Sequence, residues 1–115
     1  MKIYEYKTCS TCKKALKFLD AKGIAYEKID IASQAPSKKE LKTMLGFYDG
    51  NIKKLLNTSG QVYRQMGLKD KLADMTDSEV IDLLHANGKL CKRPFLISDD
   101  FGLVGFKEEL WSENI

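Results

Sequence analysis

The chain has 115 residues, 43% of them apolar and 30% charged, with two prolines and three cysteines. That size suits one domain able to bury a core without disulfide staples, and the composition excludes disordered, collagenous and disulfide-dense classes. The net charge of +3 and pI of 8.7 are mild, so direct nucleic-acid binding is not expected, and no apolar run reaches the roughly 20 residues of a membrane helix.

The opening MKIYEYKTCS interleaves charge at once and does not read as a secretory leader. Residues 2–6 carry Ile3, Tyr4 and Tyr6 and read as a strand. From Thr11 the period changes. Ala15, Leu16, Phe18 and Leu19 recur at helical spacing, Lys13, Lys14 and Lys17 face water, and Lys22-Gly23 marks the end. Residues 24–31, with Ile24, Tyr26, Ile29 and Ile31, read as a second strand. Strand, helix and strand make a right-handed βαβ unit with parallel strands.

The middle of the chain reads as helical. Ser37-Lys38-Lys39-Glu40 is a capping box before Leu41, Met44 and Leu45, with Gly46 as the expected stop. Ile52, Leu55 and Leu56 suggest a short helix broken by Asn57-Thr58-Ser59-Gly60, and Val62, Tyr63 and Met66 another. Thr76-Asp77-Ser78-Glu79 is a second capping box, and Asn87-Gly88 ends its helix. Strands return at Pro94–Ile97 and Leu103–Phe106, joined by a turn at 99–102. Lys107 to Glu113 reads as a last helix with Leu110 and Trp111 inward. The expected class is α/β, with a core over 1–34 and 89–115 and a helical insertion over 35–88 in a single domain spanning 1–115.

Cys9, Cys12 and Cys91 are an odd count with no export signal. That suggests a reducing, cytoplasmic setting, where close cysteines are metal ligands or redox groups more often than bridges. Cys9-Ser10-Thr11-Cys12 lies where a strand runs into a helix. Cys9 falls at the helix N-cap, where free N–H groups and the helix dipole favour a sulfur anion. Cys12 lies one turn deeper on the same face, so Cys9 can attack and Cys12 resolve. Two other readings compete. Cys9, Cys12, Cys91 and His85 can be read as zinc ligands, although the separation of His85 and Cys91 fits structural zinc poorly. Buried, inert thiols suit Cys91 better than the pair. Cysteine-dependent phosphate-ester hydrolysis is excluded because Ala15 stands where an arginine is needed. Arg93 precedes Pro94 at the start of a strand. A cis bond there would turn Arg93 toward Cys9, where it can stabilise a thiolate or grip an oxyanion.

Taken together, the sequence resembles the arsenate reductase (ArsC-like) family, and within it the Spx/MgsR branch. The resemblance runs over nearly the whole chain. It is carried by the strand into Cys9-Ser10-Thr11-Cys12, by Pro36-Ser37-Lys38-Lys39-Glu40-Leu41, by Asn57-Thr58-Ser59-Gly60 with Tyr63-Arg64, by Lys92-Arg93-Pro94 and by Val104-Gly105-Phe106. It implies a thioredoxin-like fold, a mixed four-stranded sheet with an inserted helical region. In such reductases one cysteine attacks arsenate and three arginines hold the oxyanion. Cys9 matches the nucleophile and Arg93 one arginine, but the other two fall near Asn57 and Gly105. Their absence removes charge-assisted hydrogen bonds of about 1.5–3 kcal/mol each, so efficient arsenate reduction is not expected.

The implied activity is thiol–disulfide exchange by Cys9 and Cys12, with Arg93 as their catalytic partner. Thr8, Ser10, Thr11, Asn57 and Pro94 border the substrate, and no resident cofactor or metal is expected. Glutathione, glutaredoxin or thioredoxin would be the electron donor, so the expected partner is a small thiol or a redox protein. The Spx branch implies an alternative, a redox-sensing regulator that binds the C-terminal domain of the RNA polymerase α subunit. No membrane partner is expected.

Overall fold

A computed structural model describes residues 1–115. Alternation along the strands dictates its layers. In strand β1 (Lys2–Glu5) Ile3 and Tyr4 are both buried but point to opposite sides of the sheet. Ile3 joins Ala15, Leu19, Leu96, Leu103 and Trp111 in one cluster. Tyr4 joins a larger cluster with Leu41, Met44, Leu84, Phe95 and others. Helices therefore cover both faces. Helix α1 (Ser10–Ala21) and the C-terminal helix α6 (Glu108–Asn114) lie on the first face. Helices α2 (Lys38–Phe47) and α5 (Asp77–Ala86) lie on the second, with two short helices between them, α3 (Gln61–Gln65) and α4 (Leu68–Lys71).

The sheet is mixed and four-stranded, in the order β2-β1-β3-β4. Strand β2 (Glu27–Asp30) pairs parallel with β1. Strand β3 (Phe95–Ile97) runs antiparallel to β1 and forms a hairpin with β4 (Gly102–Val104). This βαβ…ββα order is the thioredoxin-like α/β fold expected from the sequence. At the β4 edge the Val104 N–H donates to the Tyr48 hydroxyl at 3.0 Å.

Both capping boxes form. The Glu40 N–H donates to Ser37 Oγ and the Ser37 N–H to Glu40 Oε1. The Glu79 N–H donates to Thr76 Oγ1 and the Thr76 N–H to Glu79 Oε1. Three expectations need correction. Helix α2 continues through Gly46 to Phe47 and closes at Tyr48, because the Gly50 N–H, from a residue at φ +80°, returns to the Leu45 carbonyl. Strand β2 starts at Glu27, because Ile24 and Tyr26 serve as apolar cover for the α1/α6 cluster. Strand β4 ends at Val104, because Gly105 turns the chain at φ +70° and Phe106 stacks edge-on with Trp111 and Phe18.

Two backbone hydrogen bonds are among the contacts that tie residues 35–88 to the rest. The Lys92 N–H donates to the Leu55 carbonyl and the Asn57 N–H to the Leu90 carbonyl, both at 2.8 Å, around a bridge between Leu56 and Cys91. Gly88 lies so close to β2 that a Cβ there would stand 1.8 Å from the Ile31 carbonyl oxygen.

Candidate functional site: a thiol pair at a helix N-terminus

The backbone turns sharply after β1. The Cys9 N–H donates to the Tyr6 carbonyl at 3.0 Å, and α1 begins at the next residue. Cys9 is the N-cap, with extended backbone at φ −86°, ψ 109°. Its sulfur does the work usually given to a serine or aspartate oxygen. The Cys12 backbone N–H donates to Cys9 Sγ at 3.2 Å, which satisfies one of the helix's orphan donors. No acidic residue occupies the first turn, so this positive helix end has no local carboxylate to complement it.

The two sulfurs differ in their surroundings. Cys9 is half-buried and Cys12 fully buried. Burial pushes the Cys12 thiol up to about 12, and its hydrogen bond to Cys9 adds to the rise. The Tyr6 backbone and the Arg93 charge act in the opposite direction. No disulfide joins them. Cys91 is buried, its thiol donating to the Leu84 carbonyl at 3.8 Å, and desolvation likewise pushes it up to about 12. That is the environment of an inert core thiol. His85 is exposed on α5, with Nδ1 3.0 Å from the Pro36 carbonyl. The chain gathers no group of three or more His, Cys, Asp or Glu side chains suited to a metal ion, so the zinc reading has no ligand set.

The Arg93–Pro94 peptide bond is cis, as the position of Pro94 before β3 suggested. Pro94 is buried and Arg93 half-buried. The guanidinium carbon lies 5.0 Å from the centre of the Tyr6 ring, and Lys89 Nζ lies 5.3 Å from the same ring. Thr8 and Ser10 are exposed and Thr11 half-buried, all within the turn and first helical residues around Cys9. Asn57 is half-buried and joined by its backbone to Leu90, beside the segment that leads to Arg93. Lys92 Cε would stand 3.2 Å from a Cβ at Gly105, so a lysine side chain lies over one of the two positions where the resemblance would put an arginine.

Tyr6 and Lys89 were not among the residues singled out from sequence. Tyr6 reads locally as a strand residue, and Lys89 follows a helix stop. Only the tertiary fold brings them to Arg93.

A groove of about 1060 Å³ lies elsewhere. It is lined by Lys2, Tyr4, Glu40, Ser98 and Asp99 among others, at the start of β1 and the end of β3, and none of Cys9, Cys12 or Arg93 reaches it. The buried Tyr4 hydroxyl there donates to Glu40 Oε1 at 2.6 Å, and Lys2 Nζ lies 3.5 Å from Glu40 Oε2. Burial pushes the Glu40 carboxyl up. The Tyr4 hydroxyl, the Ser37 N–H and Lys2 outweigh it and hold the carboxyl below the usual carboxylate range. No helix is long and apolar enough to cross a membrane.

The family model described as ArsC family matches residues 4–114. The chain is 43% identical over 111 residues to the uncharacterized protein YusI of Bacillus subtilis, a match covering 96% of this chain and 94% of YusI. It is 29% identical over 103 residues to the regulatory protein MgsR of the same organism, covering 90% and 80%. An ArsC family related protein of Bacteroides fragilis has the same architecture, with a TM-score of 0.91 and 43% identity over 97% of this chain and 94% of that one.

Proposed function

We propose that this chain, which belongs to the ArsC family, is a thiol–disulfide oxidoreductase that works through Cys9 and Cys12. One observation carries the reading: a half-buried sulfur caps a helix N-terminus and accepts an N–H from the residue whose own sulfur is buried one turn deeper.

The Cys9 thiolate attacks one sulfur of a disulfide. A Cys9–substrate mixed disulfide forms, the original S–S bond breaks, and the other half leaves as a thiolate. Cys12 then gives its proton to solvent, bonds to Cys9 Sγ and expels the second half. The substrate gains two electrons and the protein ends as a Cys9–Cys12 disulfide. The burial of Cys12 fits this order, because the deeper thiol stays protonated until an S–S bond lies beside it. The mild cationic surroundings of Arg93 favour the departing and attacking anions. Glutathione, glutaredoxin or thioredoxin returns the protein to its dithiol form, as a thiol donor does for the family. Thr8, Ser10, Thr11, Asn57 and Pro94 form the rim that a substrate meets, in a cytoplasmic setting.

Cys9→Ser abolishes exchange with a model disulfide, whereas Cys12→Ser accumulates a mixed disulfide on Cys9 that intact-mass measurement detects. Full turnover by Cys9→Ser overturns the reading.

The similarity to the regulatory protein MgsR supports a second reading, a redox-sensing regulator that binds the RNA polymerase α subunit. Capture of that subunit by only one redox form, without catalytic turnover, would favour it. Arsenate reduction proper has less support, since Asn57 brings no cation and the Gly105 position has the Lys92 side chain over it in place of an arginine.

A further inference from the structure

The Tyr6 ring and Lys89 take no part in the exchange step described above. The Tyr6 ring carries Arg93 at 5.0 Å and Lys89 at 5.3 Å. These cations come from different segments, one before β3 and one in the 3₁₀ turn Gly88–Leu90. The Tyr6 carbonyl fixes the start of the thiol turn by accepting from the Cys9 N–H. The same residue thus ties the cations to the nucleophile.

The manner of holding matters. A carboxylate partner would neutralise these charges. An aromatic face holds a cation by its quadrupole and leaves the charge and the N–H donors available. The chain's two ion pairs, Lys2–Glu40 and Lys38–Asp82, involve neither residue. The first turn of α1 also carries no acid that would repel an incoming anion.

We propose that Tyr6 is a positioning residue that holds Lys89 and Arg93 as a cationic subsite beside Cys9, and that this subsite selects disulfides carrying a carboxylate near sulfur. The proposal rests on the reading of Cys9 as the attacking thiol.

The test is the rate at which the reduced protein consumes 5,5′-dithiobis(2-nitrobenzoate), which bears carboxylates, against neutral 2,2′-dithiodipyridine. Each rate is divided by that of a small free thiol to remove intrinsic reactivity. The expected anionic-to-neutral ratio is well above one at low salt and falls as salt rises. Tyr6→Leu lowers it about threefold to tenfold, the range of a cation–π contact. Tyr6→Phe keeps it, because the ring face and not the hydroxyl holds the cations. Arg93→Met lowers it, and adding Tyr6→Leu to Arg93→Met costs less than Tyr6→Leu costs alone. The folded fraction of each variant is set beforehand by circular dichroism and only fully folded samples are compared, because unfolded chains expose all three thiols and draw the ratio toward one. An unchanged ratio in Tyr6→Leu, or an equal fall in Tyr6→Phe, overturns the proposal while leaving the oxidoreductase reading intact. Consumption of neither probe by the native protein overturns both.

Discussion

Alkylation of the reduced, folded protein separates the three cysteines by environment. Burial moves the Cys12 thiol from an ordinary value of 9.0 to about 12. At about pH 8 the ordinary value leaves about one thiol in ten as thiolate, and the raised value about one in ten thousand. Only the thiolate reacts with iodoacetamide. Cys12 is therefore expected to label about a thousandfold more slowly than free cysteine, before any steric barrier is counted. Cys91 behaves alike, for the same reason. Cys9, half-buried and not under apolar cover, labels first. The Cys12 rate should climb about tenfold per pH unit and show no plateau near 9. The assay is timed labelling followed by peptide mass analysis, with the unfolded protein as reference. Cys9→Ser provides the sharper version. It removes the partner sulfur but leaves burial, the largest cause of the shift, so Cys12 stays slow. Labelling of Cys12 in that variant within tenfold of free cysteine would refute the reasoning. While Cys9 is held in a mixed disulfide, its sulfur no longer carries the charge that opposes ionisation of Cys12, and what restrains the resolving thiol is burial, countered by Arg93 and the Tyr6 backbone.

Three further expectations concern the scaffold. Trp111→Ala removes a fully buried indole that contacts Phe18 and Phe106 edge-on and donates Nε1–H to the Gly105 carbonyl at 3.1 Å. It should destabilise the fold by about 3–5 kcal/mol, and a loss below about 1 kcal/mol in denaturant titration would contradict that packing. Gly88→Ala drives a methyl into the Ile31 carbonyl, so a backbone must move. A cost of about 3 kcal/mol or failure to fold is expected, and a near-neutral result would show the close approach to be wrong. The Glu40 carboxyl is lowered, so its stabilising contribution is present above the ordinary value of 4.5 and is lost as pH falls through the lowered one. Glu40→Gln should therefore flatten the acid limb of a stability-against-pH curve, and an unchanged limb would remove Glu40 as its source.

What could be read from sequence was local. Ser37 with Glu40 and Thr76 with Glu79 define their helices because cap and partner lie three residues apart. The thiol pair was legible because strand, cysteine and helix follow one another directly in the chain. Burial of Trp111 followed from helical spacing. Residues with two available roles misled. Ile24 and Tyr26 are good strand formers, yet the α1/α6 cluster uses them as cover. Gly46 is an ordinary helix stop, but Gly50 closes the helix. The Tyr6–Arg93–Lys89 cluster had no local signal. It exists because the antiparallel pairing of β1 and β3 sets the ends of segments remote in sequence side by side. The Tyr4–Glu40 hydrogen bond was hidden for the same reason, since Glu40 already had a complete local explanation as a cap.

The Tyr48 hydroxyl at the margin of β4 shapes how this molecule can meet others. Strand β4 is only three residues long, and its outward Val104 N–H is already taken by a side chain from the end of α2. A neighbouring polypeptide therefore finds that donor already occupied. The opposite margin, β2, displays Glu27, Lys28 and Asp30 to water, charges that discourage annealing of a second β-segment. With both flanks guarded against self-association, the thiol-bearing tip can stay open to solvent without inviting aggregates along the sheet.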